Sequence, residues 1–273
     1  MSIPTPSPFV PSARAVIGRR GLLAATALLA LSACGSPDGR SDVEPTPAPP
    51  HWDYDADGPD HWADIDNRYT VCGRGAEQSP IDLADHAPVD SRDHIDIDYG
   101  PVASVELVNT GHTVQANLPE GSPHRIVVGG RAFTLTQFHF HAPSEHTIDG
   151  VGTAMELHLV HRDAAGGLAV LAVLLTEGPN SPFASVLTDL PRAGEKRTLG
   201  PVDPRTFLPG DRTQFRYAGS LTTPPCTEGV AWTVLHNPVT VAAAEIERYR
   251  ALFPHTNRPA QPRNGRSVVL AGG

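Results

Sequence analysis

The chain has 273 residues, 40% of them apolar, with 21 Lys and Arg against 30 Asp and Glu and a formal charge of −9. Residues 1–33 hold three of the basic residues and no acid, so the remainder stands at −12 and is repelled by nucleic acid and by anionic membrane surfaces. The length suffices for one large domain with a core of its own, and the apolar content excludes a chain too polar to fold.

Arg19 and Arg20 precede the apolar run GLLAATALLALSA, which ends in LSAC at Cys34. About a dozen apolar residues fall short of a membrane span but suit the core of a signal peptide. The small residues before Cys34 resemble the lipobox of bacterial lipoproteins, in which Cys34 carries lipid and becomes the mature N-terminus. A plain secretory signal that ends beside a cysteine is the alternative. Both readings take residues 1–33 as an export signal. They place the protein in the periplasm or on the outer face of the cell membrane, with membrane contact confined to a lipid at Cys34. Residues 34–50 are polar and Pro-rich without apolar periodicity, and predict an extended, disordered tether. One folded domain is expected over 51–273.

Within that domain apolar runs are short and turn residues dense. VELVNTGHTVQANL, RIVVGGRAFTLTQFHFH, TAMELHLVHR and LAVLAVLLTE predict strands, with HRDAAGGL as a hairpin connection between the last two. Two segments predict helices: 181–190, with Ser181 as cap before Pro182, and 242–253, which stops at Pro254. PVDPRTFLPGD predicts an irregular surface loop. Many strands and few helices give a β-rich, mainly β (α+β) single domain, built on a large, mostly antiparallel twisted central sheet with a few short peripheral helices. Beyond Cys34 two cysteines remain, Cys72 and Cys226. In an exported protein such a pair reads as a disulfide rather than two buried thiols, and closing so long a loop stabilises by about 5 kcal/mol at most in the chain-entropy model.

In TQFHFHAPSEH, alternation puts His139 and His141 on one face of a strand and Phe138 and Phe140 on the other. Two such imidazoles, with Cα atoms roughly 7 Å apart, suit one metal ion between them. An antiparallel neighbour could bring His158 to the same ion, and three neutral imidazoles with an open fourth position make a catalytic zinc site. Taken alone, the pattern equally fits a polar sheet face. His161 falls on the face opposite His158, and His146, after the PSE turn, reads as a hydrogen-bonding group.

The text around these residues narrows the choice. QFHFHAPSEH, ELHLVH, SLTTPPCTEGVAW, NTGHTVQAN and HWDYDADGPDHW, in order from about His51 to Pro262, resemble the α-class carbonic anhydrases in their bacterial exported form, whose disulfide the cysteine pair also matches. The resemblance implies a zinc enzyme that hydrates carbon dioxide reversibly to bicarbonate and a proton. Zinc (Zn2+) would sit on His139, His141 and His158, with Gln137 and Glu156 fixing their imidazoles. Zinc-bound hydroxide would be the attacking group, since bound water ionises at about pH 7, a value known for carbonic anhydrase itself and not read from this chain. Thr222, giving its proton to Glu145, would orient that hydroxide, and Thr223 would lie beside bicarbonate. Val160, Val170, Leu221 and Trp232 would form the apolar wall for carbon dioxide, although by themselves they read as core residues. Proton release to bare water is limited to roughly 10³ per second, so a faster enzyme needs a mobile base. The resemblance assigns that part to His112, with Tyr54 supporting the solvent chain. Asp53 stands where a small residue is expected, and Thr110 where animal relatives often have an amide.

Overall fold

The computed structural model describes residues 48–88 and 95–272, so the expected export signal, Cys34 and most of the tether lie outside the described residues. In chain order the elements are helices α1 (Trp62–Ile65) and α2 (Val71–Arg74), then strands β1 (Ala87–Pro88), β2 (Asp96–Asp98), β3 (Val105–Asn109), β4 (Val114–Asn117) and β5 (Arg125–Val128). Strands β6 (Arg131–His141), β7 (Met155–Arg162) and β8 (Leu168–Glu177) follow, then helix α3 (Ala184–Leu187) and strands β9 (Lys196–Leu199), β10 (Gln214–Ser220) and β11 (Glu228–Val241). Helix α4 (Ala243–Leu252) and strand β12 (Val269–Ala271) complete the set.

The strands form one sheet whose main path runs β1-β12-β10-β11-β8-β7-β6-β4-β3-β9. β7 takes one edge of β6, while β5 and β4 share the other in succession, and β2 pairs with β5. Among the strand pairs of the described residues only β8–β11 and β1–β12 are parallel, so the sheet is mostly antiparallel, as the sequence predicts. β8, buried on both faces, shows the near-continuous apolar run that such a position requires.

One irregularity in β6 decides what its histidines face. The register with β7 shifts between Leu135 and Gln137, leaving Thr136 as an extra residue. Such a bulge reverses the parity of the strand. Phe133 and Leu135 before it, and Phe138 and Phe140 after it, therefore all sink into the larger core cluster, while His139 and His141 turn to the other face. Each buried phenylalanine stabilises by about 1.5–3 kcal/mol through apolar burial alone, which pins the register. A second cluster, with Val160, Val170 and Trp232, lies on the histidine side.

The expected helix at 242–253 is present as α4, but the other is shorter than expected. The segment 181–190 is helical only over Ala184–Leu187, where one turn closes on Phe183 and Ala184, and Ser181 Oγ accepts from the Phe183 amide. The expected surface loop at 201–211 instead folds into a 3₁₀ turn at Pro204–Phe207, and Phe207 and Leu208 enter the core. Its Asp203 side chain accepts from the Arg205 amide, which starts the turn.

Candidate functional site

The site is laid out in rows across neighbouring strands. One row runs Gln115, His139, His158, Ala172, and the next Gln137, Val160, Val170, Trp232, Tyr217. Cross-strand partners stand about 5 Å apart, so His139 and His158 are neighbours by register, and His141 lies two residues along. The three imidazole centroids are 4.5–5.3 Å from one another.

Each ring has one nitrogen already engaged. His139 Nδ1 donates to Gln137 Oε1 at 2.8 Å, His141 Nδ1 to the Thr256 carbonyl, and His158 Nε2 to Glu156 Oε1 at 2.8 Å. The remaining nitrogens, Nε2 of His139 and His141 and Nδ1 of His158, keep their lone pairs. His141 Nε2 is buried without any partner among the described residues. Burial, reinforced by the neighbouring imidazoles, holds His139 well below the ordinary histidine value; burial also lowers His158 and takes His141 down to about 4. All three are neutral at pH 7, and their ligand atoms lie within 4.8 Å of one another. An orphaned buried nitrogen beside two further lone pairs fits a zinc ion with three nitrogen ligands.

Behind the imidazoles lies a closed hydrogen-bond chain. Glu156 Oε2 accepts from the Glu145 and His146 amides, and Oε1 from His146 Nδ1 as well as from His158. His146 Nε2 in turn accepts from the Tyr217 hydroxyl at 2.7 Å, which lies 2.9 Å from Ser79 Oγ. Burial pushes the Glu156 carboxyl up, but the His146 and His158 imidazoles outweigh it and hold the group well below the carboxylate range. The grouping of His146, Glu156 and His158 is thus consumed by its own hydrogen bonds.

Glu145 is buried, and its Oε1 accepts from the Arg258 amide at 2.8 Å. Burial raises the carboxyl to about 7, against the pull of His158 and of the Thr222 hydroxyl. Oε2 has no partner in hydrogen-bonding geometry, so Thr222 bears on the carboxyl without closing a bond to it. A dication on the imidazoles would draw the carboxyl back down.

Thr222 and Thr223 sit on the loop between β10 and β11. The Leu221 amide donates to the Thr227 carbonyl and the Cys226 amide to the Thr223 carbonyl, which folds the loop back on itself. Cys226, at φ +56°, is bonded to Cys72 of α2, so the loop is tied to the N-terminal helices. Ser220 and Ser79 exchange hydrogen bonds at its base, and Trp232 Nε1 donates to the Ser220 carbonyl.

These residues enclose a cavity of about 280 Å³, lined by the three imidazoles, Gln137, Val160, Val170, Leu221, Thr222, Thr223 and Trp232, with Tyr54 and His112 towards the N-terminal segment. His112 follows Gly111, whose φ of +87° favours glycine and whose amide donates to Asn109 Oδ1. Its ring stacks on Trp52 at 3.7 Å and 10°, and burial lowers its pKa, helped by His51 and opposed by Asp53. Burial, then Glu145, raises the Tyr54 phenol well above its ordinary value.

Of the predicted site residues, the zinc-ligand candidates, Gln137, the apolar wall, Thr222, Thr223, Tyr54 and His112 line this cavity, Glu145 and Glu156 lie behind the imidazoles, and Cys72 is bonded to Cys226 beside the threonine loop; Cys34 is outside the described residues. Sequence reasoning passed over Trp52, Thr256, Arg258 and Tyr217. Trp52 stood in the quoted HWDYD and could have been found as an aromatic beside the cavity mouth. Thr256 acts through its backbone carbonyl, which no residue type signals.

A family model described as eukaryotic-type carbonic anhydrase matches residues 57–271. The chain is 40% identical over 226 residues to a carbonic anhydrase of Klebsiella pneumoniae, covering 80% of this chain and 90% of that protein. It is also 40% identical over 223 residues to one of Neisseria gonorrhoeae, covering 80% and 87%. A solved hyperthermostable carbonic anhydrase from an active hydrothermal vent chimney superposes with a TM-score of 0.77 at 40% identity, over 81% of this chain and all of that one.

Proposed function

The chain belongs to the carbonic anhydrase family, and from that premise we propose that it holds zinc on His139, His141 and His158 and hydrates carbon dioxide reversibly to bicarbonate. The observation that carries the reading is the set of three neutral imidazoles, each with one nitrogen engaged elsewhere and the other turned into a partly apolar cavity. Zinc bound there supplies a Lewis acid that makes hydroxide available near neutral pH, an effect for which carbonic anhydrase is the reference case.

The chain's own residues do the rest. Gln137, Glu156 and the Thr256 carbonyl hold the ligand tautomers, so no ring has to reorient when metal enters. Once Thr222 closes onto ionised Glu145, the carboxylate would accept the hydrogen bond of its hydroxyl, leaving Thr222 Oγ1 able only to accept. That oxygen would accept a hydrogen bond from the attacking hydroxide and so orient it towards substrate. Val160, Val170, Leu221 and Trp232 give carbon dioxide an apolar wall. Thr223 would lie beside the bicarbonate formed. His112, in the cavity lining with Tyr54, would take up the proton released by the reaction and pass it to buffer.

The same reading takes residues 1–33 as an export signal and Cys34 as the lipid-bearing N-terminus of the mature protein. The enzyme then works in the periplasm or on the outer face of the cell membrane, and the mass of the mature N-terminal peptide tests that location. The test of function is stopped-flow hydration of carbon dioxide by the zinc-loaded protein beside His158→Ala. Fast, buffer-responsive hydration in the parent and near-background rates in the variant are expected. A zinc-loaded parent without activity would overturn the reading.

A further inference from the structure

A second cavity lies against the opposite face of the sheet from the imidazoles. It has a volume of about 390 Å³ and is lined by Ile95, Asp96, Ile97, Tyr99, Leu208, Arg205 and Arg212. Its size is that of ordinary small-molecule sites, which run from about 300 to 1,000 Å³. We propose that it binds a small amphipathic monocarboxylate, with the carboxylate on Arg212 and the apolar body against Ile95, Ile97 and Leu208.

The state of Arg212 carries the proposal. Every other arginine of the described residues that is at least partly buried is engaged: Arg197 with Asp189, Arg258 with Gln78 and two carbonyls, and Arg263 and Arg266 with backbone carbonyls, while Arg216 also has a partner. Arg212 is half-buried, its Nη1 is fully buried, and that nitrogen has no partner. In a chain with nine more acids than bases, a half-buried cation left without a carboxylate is not what surface composition supplies by default. A guanidinium presents a planar fork of donors that matches a carboxylate two to two, and partial burial strengthens such a pair.

Among the described residues the other charges at the cavity have partners. Arg205 is exposed and paired with Asp203 at 2.6 Å, and Asp96 is exposed and has a partner of its own. The Tyr99 hydroxyl is hydrogen-bonded to His161 Nε2 at 2.6 Å. Among the described residues Arg212 is therefore the cationic head available to the cavity. Around it Ile95 and Leu208 are buried and Ile97 half-buried, an apolar lining that an inorganic anion would leave uncovered. The combination of one fork and three aliphatic side chains selects a carboxylate with a short apolar body.

The test is binding of benzoate to the zinc-loaded full chain, followed by backbone amide shifts residue by residue, with inorganic phosphate as a probe that has charge but no apolar body. Saturable benzoate shifts centred on Ile97, Tyr99 and Arg212 are expected, with phosphate binding more weakly. Arg212→Gln should weaken benzoate by roughly tenfold or more while hydrating carbon dioxide at the parent rate, which reports a folded protein. Should that variant fail to fold, Arg212→Lys keeps the charge and loses the fork, and weaker benzoate binding is again expected. Benzoate shifts confined to Thr222 and His139, parent-like binding by a folded Arg212 variant, or phosphate binding as tightly as benzoate would each overturn the proposal.

Discussion

The imidazoles of the candidate metal centre gain their lone-pair directions from partners that never touch the metal. Gln137 Oε1 is the clearest case, since it is the one acceptor for His139 Nδ1 among the described residues. Replacing it by alanine leaves a buried N–H without an acceptor and frees the ring to turn. Gln137→Ala is therefore expected to lower zinc affinity by roughly 10–100-fold, measured by competition with a chromogenic chelator. An unchanged affinity would mean that strand packing alone orients the ring. His112 carries a different expectation, because it moves protons and holds no metal. His112→Ala should slow hydration in weak buffer and regain much of the rate when imidazole is added, with zinc content unchanged; a rate that does not respond to imidazole assigns the proton path elsewhere.

The strands and the tied loop set those residues in place, and their contribution is open to measurement. Phe138 and Phe140 sit on the reverse of the stretch that carries His139 and His141, so the apolar face fixes the polar one. Phe138→Ala should cost about 3–5 kcal/mol in urea unfolding, with reduced zinc retention in the same protein. The Cys72–Cys226 bond clamps the loop of Thr222 and Thr223 to α2. Paired Cys72→Ser and Cys226→Ser replacement should cost stability by at most about 5 kcal/mol, and activity should fall more steeply than zinc content, because the threonine loop loses its tie while the ligands keep theirs. Equal losses of metal and rate would place the damage in the sheet. Period-2 alternation placed His139 and His141 on one face, but joining His158 to them as a metal site rested on the family resemblance and not on any local pattern. The bulge at Thr136 was not legible beforehand, because nothing in TLTQFHFH marks which residue is unpaired until β7 sets the register. Helix α3 was overestimated for a similar reason. Its cap-like serine is present, but Ser181 Oγ is also engaged by Glu245 of α4, a contact from another part of the chain.

At the scale of the molecule, the sheet buries imidazoles on both faces, and this couples stability to pH. His161 lies on the apolar face, fully buried, hydrogen-bonded to Tyr99, with its pKa pushed by burial down to about 3. An unfolded chain protonates the same ring near 6.5. The folded value is depressed, so the contribution is fully present above about pH 6.5 and is lost as pH falls towards 3, because the unfolded state binds a proton that the folded state refuses. One such group steepens the loss by about 1.4 kcal/mol per pH unit in that window. The ligand imidazoles act in the same direction in metal-free protein, which is why a variant is needed to isolate His161. His161→Gln keeps an acceptor for the Tyr99 hydroxyl and removes the titration. Urea unfolding of metal-free parent and variant between pH 6.5 and 4 should therefore show the variant losing stability more gradually, by about one proton's worth of slope. Parallel curves would mean that His161 gains its proton without unfolding, and the buried imidazole would then have to be open to water behind β7.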